Sequence, residues 1–179
     1  MNDGLIPRRY AKALYKIAIE NGDAKQIYDQ LRELNFRYTA IDELKRLVSN
    51  PYIPDEQKGA LLLAAAGAKT GSSLDKFILM VIRNNRATML RKIALAYLQL
   101  YREANNIAKV EIAMATQLPS TEVEEIIAIV KERLGDMTLE ISQTIDPRLI
   151  GGFTVKIDDL LLDASVSNEL KRLRLNLLK

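Results

Sequence analysis

The side chains of this chain that could do chemistry are carboxylates, lysines, arginines and tyrosines, because its 179 residues include no Cys and no His. Thiolate nucleophiles, disulfides, Cys/His zinc sites and imidazole general bases are thereby excluded. Two kinds of site remain to be weighed: grouped carboxylates and a phosphate-binding loop. Asp158, Asp159 and Asp163 are the carboxylates to consider. They fall in a tight turn and ahead of a helix, where Asp is favoured for conformational reasons. Gly67-Ala68-Lys69-Thr70 has a trace of a Walker loop, which requires Gly directly before the Lys and another five residues earlier. Ala68 occupies the first of those places, and Gly67 and Gly71 read as helix ends. No catalytic residue, metal or cofactor is expected, so function must lie in surfaces.

The elements carrying those surfaces follow from hydrophobic period. The composition is 48% hydrophobic, sufficient for an ordinary core. No apolar run of 18 or more residues occurs, so no membrane insertion is expected. The opening MNDGLIPRRYAKALY has no apolar signal core and includes acidic Asp3, which argues against secretion and against a transit peptide. Up to Asn106 the pattern is helical. Helices are expected over about 7–21, 24–39, 42–49, 55–68, 73–84 and 87–105. Breaks fall at Asn21-Gly22-Asp23, at Asn50-Pro51 with Pro54, and at Gly71-Ser72-Ser73. Leu90, Ile93, Ala94, Tyr97, Leu98 and Tyr101 form the stripe of the last.

At Asn105-Asn106 the period changes to two. Val110, Ile112 and Met114 alternate with Lys109, Glu111 and Ala113, which predicts a strand. Pro119-Ser120-Thr121 opens a helix, with Thr121 and Glu124 spaced as a capping box. Val123, Ile126, Ile127, Val130 and Leu134 line its buried face. Strands and a closing helix from about Ser167 follow, in the order β-α-β-β-β-α. Charge divides at the same place. Residues 1–106 hold 17 Lys+Arg against 11 Asp+Glu, and residues 107–179 hold 9 against 12. The expected fold class is α+β: an N-terminal six-helix bundle (1–106) followed by a small mixed α/β C-terminal domain (107–179).

The richest stretch is Leu139–Val166, LEISQTIDPRLIGGFTVKIDDLLLDASV. Leu139, Ile141 and Ile145 alternate with Glu140, Ser142 and Thr144. Asp146-Pro147 opens a turn. Gly151-Gly152 permits a bulge or a close backbone approach that a Cβ would block. Phe153, Val155 and Ile157 alternate again, Asp158-Asp159 turns, Leu160 to Leu162 forms a short strand, and Asp163 or Ser165 caps the last helix.

This stretch resembles the C-terminal signature of the delta subunit of F-type ATP synthases, the oligomycin-sensitivity-conferring protein of mitochondria. Asp146, Leu149, Gly151, Gly152 and Asp163-Ala164-Ser165-Val166 carry the resemblance. Arg9-Tyr10-Ala11-Lys12-Ala13-Leu14-Tyr15 with Ala18, and Asn84-Asn85-Arg86 before a long helix, extend it over nearly the whole chain. Asp158 departs from the pattern, standing where the family commonly has Gly; Asp tolerates a left-handed backbone better than most residues. The resemblance implies a non-catalytic stator subunit needed for proton-driven ATP synthesis, present once per complex and monomeric alone. It further implies a peripheral place on the cytoplasmic face of a bacterial plasma membrane.

Two helices carry more apolar surface than one buried stripe needs. The first has an apolar arc of roughly 240° and the fifth one of roughly 260° at 100° per residue. Such helices are central in a bundle or share their surplus with a partner. By resemblance, the N-terminal helix of an alpha subunit lies in the groove between these two. Tyr10, Ala13, Leu14, Phe77, Ile78, Met80 and Val81 are the candidates to line it, and periodicity does not separate them from the core. The resemblance also implies that the C-terminal domain receives the C-terminal end of stalk subunit b. In the closing helix Val166, Leu170, Leu173 and Leu177 form one stripe, expected to pack on the sheet. Leu175 and Leu178, with the basic Arg172 and Arg174, are candidates for the stalk. A pI near 9.0 raises the alternative of a nucleic-acid-binding protein. Against it, Lys and Arg are scattered, with Arg8-Arg9, Lys45-Arg46 and Arg91-Lys92 the doublets of the helical half and no basic Gly-rich or aromatic RNA-binding motif.

Overall fold

The computed structural model describes residues 4–158 and 160–177. Asp159 and Leu178 lie outside the described residues. The chain is α+β, with eight α-helices and one four-stranded sheet among the described residues. It separates into two compact units, the first ending at Tyr101 and the second starting at Arg102. The division falls within a helix whose last turn belongs to the second unit, where Arg102 Nη1 lies 3.9 Å from Glu140 Oε2.

The first unit contains α1 (Leu5–Asn21), α2 (Ala24–Ala40), α3 (Asp42–Ser49), α4 (Asp55–Ala66), α5 (Ser73–Arg83) and most of α6 (Leu90–Ala104). Gly67 ends α4 in a left-handed conformation, its N–H donating to the Ala64 carbonyl, so the Walker-like tetrapeptide is a helix end. Gly71 stands at the opposite kind of boundary, ahead of α5, where its N–H donates to Asp75 Oδ2 at 2.7 Å. Ser72 Oγ accepts from the Asp75 N–H, so Ser72 and Asp75 together satisfy the start of α5.

The helix expected over about 87–105 begins instead with a 3-10 turn, Ala87–Met89. The cause is the Asn84-Asn85-Arg86 segment. Asn85 takes φ 56°, the Asn85 N–H donates to the Ile82 carbonyl and the Arg86 N–H to the Val81 carbonyl. These two bonds terminate α5 with Asn in the place Gly usually takes. Leu14, Leu31, Leu34, Ile78, Val81, Ile93 and Tyr97 are among the buried centre of this unit. Tyr97 donates its hydroxyl to the Ala24 carbonyl at 3.0 Å, and burial, then the nearby Asp23 charge, pushes its phenol up.

In the second unit β1 (Ile107–Met114), α7 (Ser120–Leu134), β2 (Thr138–Ile145), β3 (Gly152–Ile157), β4 (Leu160–Ser165) and α8 (Val166–Leu177) follow in order. The strand order is β2-β1-β3-β4. β1 pairs parallel with β2 through the α7 crossover and antiparallel with β3; β4 returns antiparallel on β3. Val110, Ile112, Met114 and Val155 pack against Val123, Ile126 and Val130 of α7. The capping box expected at Thr121 and Glu124 does not form. α7 starts two residues earlier than a Thr121 cap would set it, with Pro119 as its cap, which places Thr121 inside the first turn with no capping bond. Proline presets the backbone entry that a side-chain cap would otherwise secure.

Candidate partner-binding surfaces

The signature residues form one structural joint. Gly152 has φ +74°, and a Cβ on it would lie 2.3 Å from the Ala164 carbonyl oxygen. A Cβ on Gly151 would meet Val166 Cγ2 at 2.9 Å. The glycine pair thus lets the start of β3 press onto the β4–α8 junction, where the Val166 N–H donates to the Gly151 carbonyl at 3.0 Å. On the other side of that junction Asp163 Oδ1 accepts from the Ser165 N–H, and buried Ser165 Oγ caps α8 by accepting from the Asn168 N–H. Asp163 and Ser165 therefore share the task, the first shaping the turn and the second capping the helix.

Asp146 closes the turn before this joint. Its carboxylate accepts from Arg148 Nε at 2.8 Å and Nη2 at 2.7 Å, and from the Arg148 N–H at 3.1 Å. The Arg148 side chain first, then its backbone N–H, hold the Asp146 carboxyl down at about 2. A carboxylate depressed in the folded state stabilises the turn above its ordinary range, and that contribution is lost as pH falls toward about 2. An NMR titration should place the Asp146 midpoint near 2, and Arg148→Ala should raise it only part of the way to the ordinary carboxylate range, because the backbone N–H at position 148 remains. A midpoint near 4 in the unaltered chain would contradict the bond. Ile150 in this turn has φ 66° and is 72% exposed. A β-branched residue in that conformation is strained, and periodicity gave no sign of it.

Structure sorts the seven groove candidates by burial. Leu14, Ile78 and Val81 have at most 1% exposure and Phe77 has 5%, so these four belong to the core. Met80 is 41% exposed, Ala13 is exposed and Tyr10 is half-buried. Tyr10 ties α1 to the end of α5: its ring meets Phe77 edge-on, and its hydroxyl accepts from Arg86 Nη1 at 2.7 Å and Asn84 Nδ2 at 3.1 Å. The Arg86 guanidinium also lies 5.2 Å from the Tyr10 ring centre. At the other end Asn21 Nδ2 donates to Ser73 Oγ at 3.2 Å. Since Tyr10 and Asn21 both touch α5, the turn-by-turn neighbours Ala13 and Ile17 flank the same seam. Ile17, 46% exposed, joins the set that faces outward.

In the second unit the stripe of α8 expected to pack on the sheet is not buried at the positions whose side chains are described, which leave out Leu177. Val166, Leu170 and Leu173 are exposed, as are Leu175, Arg172 and Arg174. The reason lies in the topology: α7 already fills the centre of the apolar sheet face. Beyond α7 that face continues as a cleft lined by Ile126, Ile129, Val130, Phe153, Leu160 and Leu162, among others. The cleft was invisible in the sequence, because Ile129 lies off the buried stripe of α7 and the strand pairing of Leu160 and Leu162 beside Ile157 and Val155 is a tertiary fact. Exposed leucines at this density make α8 and the cleft candidate binding surfaces.

These features define a class: a two-unit binding protein with a separate apolar surface on each unit and a glycine-built joint beneath the second. The chain matches the ATP synthase delta (OSCP) subunit family over residues 6–177. It is 36% identical to the ATP synthase subunit delta of Phocaeicola vulgatus over 172 residues, which covers 96% of this chain and 92% of that protein. It is 32% identical to the ATP synthase subunit delta of Parabacteroides distasonis, covering 100% of this chain and 99% of that one. A chain in the cryo-EM structure of the Toxoplasma gondii mitochondrial ATP synthase hexamer shares the fold, with a TM-score of 0.73, 21% identity and 97% of each chain covered. The chain belongs to the ATP synthase delta (OSCP) subunit family.

Proposed function

We propose that this chain is the peripheral-stalk subunit that joins the catalytic head of an F-type ATP synthase to its membrane sector. It acts as a stator: it resists rotation of the head and performs no reaction step. The six helices of the first unit act as one bundle that takes the N-terminal helix of an alpha subunit along the α1–α5 seam. The second unit takes the C-terminal end of stalk subunit b on α8 and the neighbouring cleft. One copy serves each complex, peripheral to the cytoplasmic face of a bacterial membrane. No helix among the described residues is long and apolar enough to cross a membrane.

The observation that carries this reading is the family match along residues 6–177 together with an unpartnered apolar surface on each of two units. A coupling element needs two independent grips, and laying an amphipathic helix into an apolar seam is a recurrent way to build one. The test is calorimetric. The whole chain titrated with the first 20 or so residues of the alpha subunit from the same complex should give a one-to-one isotherm with a negative heat-capacity change. Absence of heat together with unchanged amide shifts in α1 and α5 would remove the seam as the alpha-binding site.

A further inference from the structure

We propose that the α1–α5 seam selects a helix with acidic flanks, carrying carboxylates about seven residues apart on the side facing α5. This rests on the reading of the seam as a helix-binding groove and names the chemistry of its occupant. On α5 the outward residues are Lys76, Met80 and Arg83. Their spacing of four and three stacks them in one row, with the two cations about 10 Å apart along the axis. Lys76, Leu79, Met80, Arg83 and Asn84 line a shallow depression there, two cations and no carboxylate.

The α1 side is similar. Beyond the strip of Tyr10, Ala13 and Ile17, the next row outward holds Arg9, Lys16 and, at its far end, Glu20, because residues three or four apart share a face. α1 carries Arg8, Arg9, Lys12 and Lys16 against Glu20 alone. The single acid of α5, Asp75, is buried and its carboxylate accepts from the Gly71 N–H. Lys76 and Arg83 form no ion pair among the described residues.

An apolar strip with a wholly cationic row on α5 and a mainly cationic one on α1 therefore lies open. The strip needs an apolar counterpart, which a phosphate backbone lacks, and the rows need carboxylates. An amphipathic helix with acids beside its apolar stripe supplies both. Charges so placed guide encounter and set direction more than they tighten the final contact.

The test compares the whole chain with K76E/R83E, both substitutions on exposed residues, using the alpha-subunit N-terminal peptide and the same peptide with each Asp and Glu replaced by its amide. K76E/R83E should weaken binding of the acidic peptide about tenfold at about 50 mM salt, mainly through slower association. At about 0.5 M salt the difference should shrink below about twofold, since screening then acts within a few ångströms. The amide peptide should bind the unaltered chain about tenfold more weakly, and K76E/R83E should add nothing to that loss. Equal binding of acidic and amide peptides, or a loss that persists at high salt, overturns the acidic flank while leaving the seam in place. Displacement of the peptide by a short oligonucleotide at the same rows also overturns it. Should the neutral pair A13Q/M80Q bind the peptide as the unaltered chain does, the seam falls and the flank with it.

Discussion

Gly152→Ala should lower the stability of the second unit by about 3–4 kcal/mol while leaving the first unit unchanged. Two terms combine. An L-residue in a left-handed conformation costs about 1–2 kcal/mol. The added Cβ would also stand 2.3 Å from the Ala164 carbonyl oxygen, a backbone atom fixed by the Gly152–Ser165 pairing, so relief requires the β3–β4 ladder to shift. Gly151→Ala is the milder control at about 1 kcal/mol, because its obstacle is the tip of the Val166 side chain. The chain offers a clean readout. All 7 tyrosines lie at or before Tyr101, so tyrosine fluorescence follows the first unit alone. Amide exchange in β1 follows the second. A Gly152→Ala chain whose β1 amides exchange as slowly as before would show that the glycine pair is dispensable.

The second large effect separates binding from stability at the seam. A13Q/M80Q should weaken the alpha-subunit peptide about 100-fold, or about 2.7 kcal/mol, with melting unchanged within about 2 °C. Both residues are exposed, Gln is tolerated in a helix, and no charge changes. Ile78→Ala should do the reverse. Ile78 is fully buried, so its truncation leaves a cavity costing about 3 kcal/mol. Below its melting temperature the Ile78→Ala chain should bind the peptide as the unaltered chain does. Loss of binding in Ile78→Ala with retention in A13Q/M80Q would place the contact surface elsewhere on the helical unit.

These experiments mark where sequence reasoning stopped. The period of Val110, Ile112 and Met114 predicted β1 because alternation is a local property of a strand. Gly151-Gly152 announced a close approach because only a missing side chain permits one, and the obstacle proved to be Ala164 and Val166. Asn84-Asn85-Arg86 carried a family resemblance but no mechanism. The structure supplied one: Asn85 terminates α5, while Asn84 and Arg86 hold the Tyr10 hydroxyl. The Thr121–Glu124 spacing misled because Pro119 already sets the helix entry.

Composition, period and motif by themselves determined the α+β class, the passage from helices to strands near Asn106, and the family. Each is local, set by which residues recur along one helix or strand and which turns they permit. Only the tertiary structure decided which apolar residues face water. A stripe on α5 runs from Phe77 to Val81 without a break in the sequence, yet Met80 is open and Val81 is closed because α1 and α4 cover one arc and leave the next. The stripe on α8 reads as a buried one, yet Leu170 and Leu173 stand exposed because α7 had already taken the sheet face. Periodicity orients a side chain about its own axis; burial depends on what lies opposite, and that is set by contacts between residues far apart in the chain.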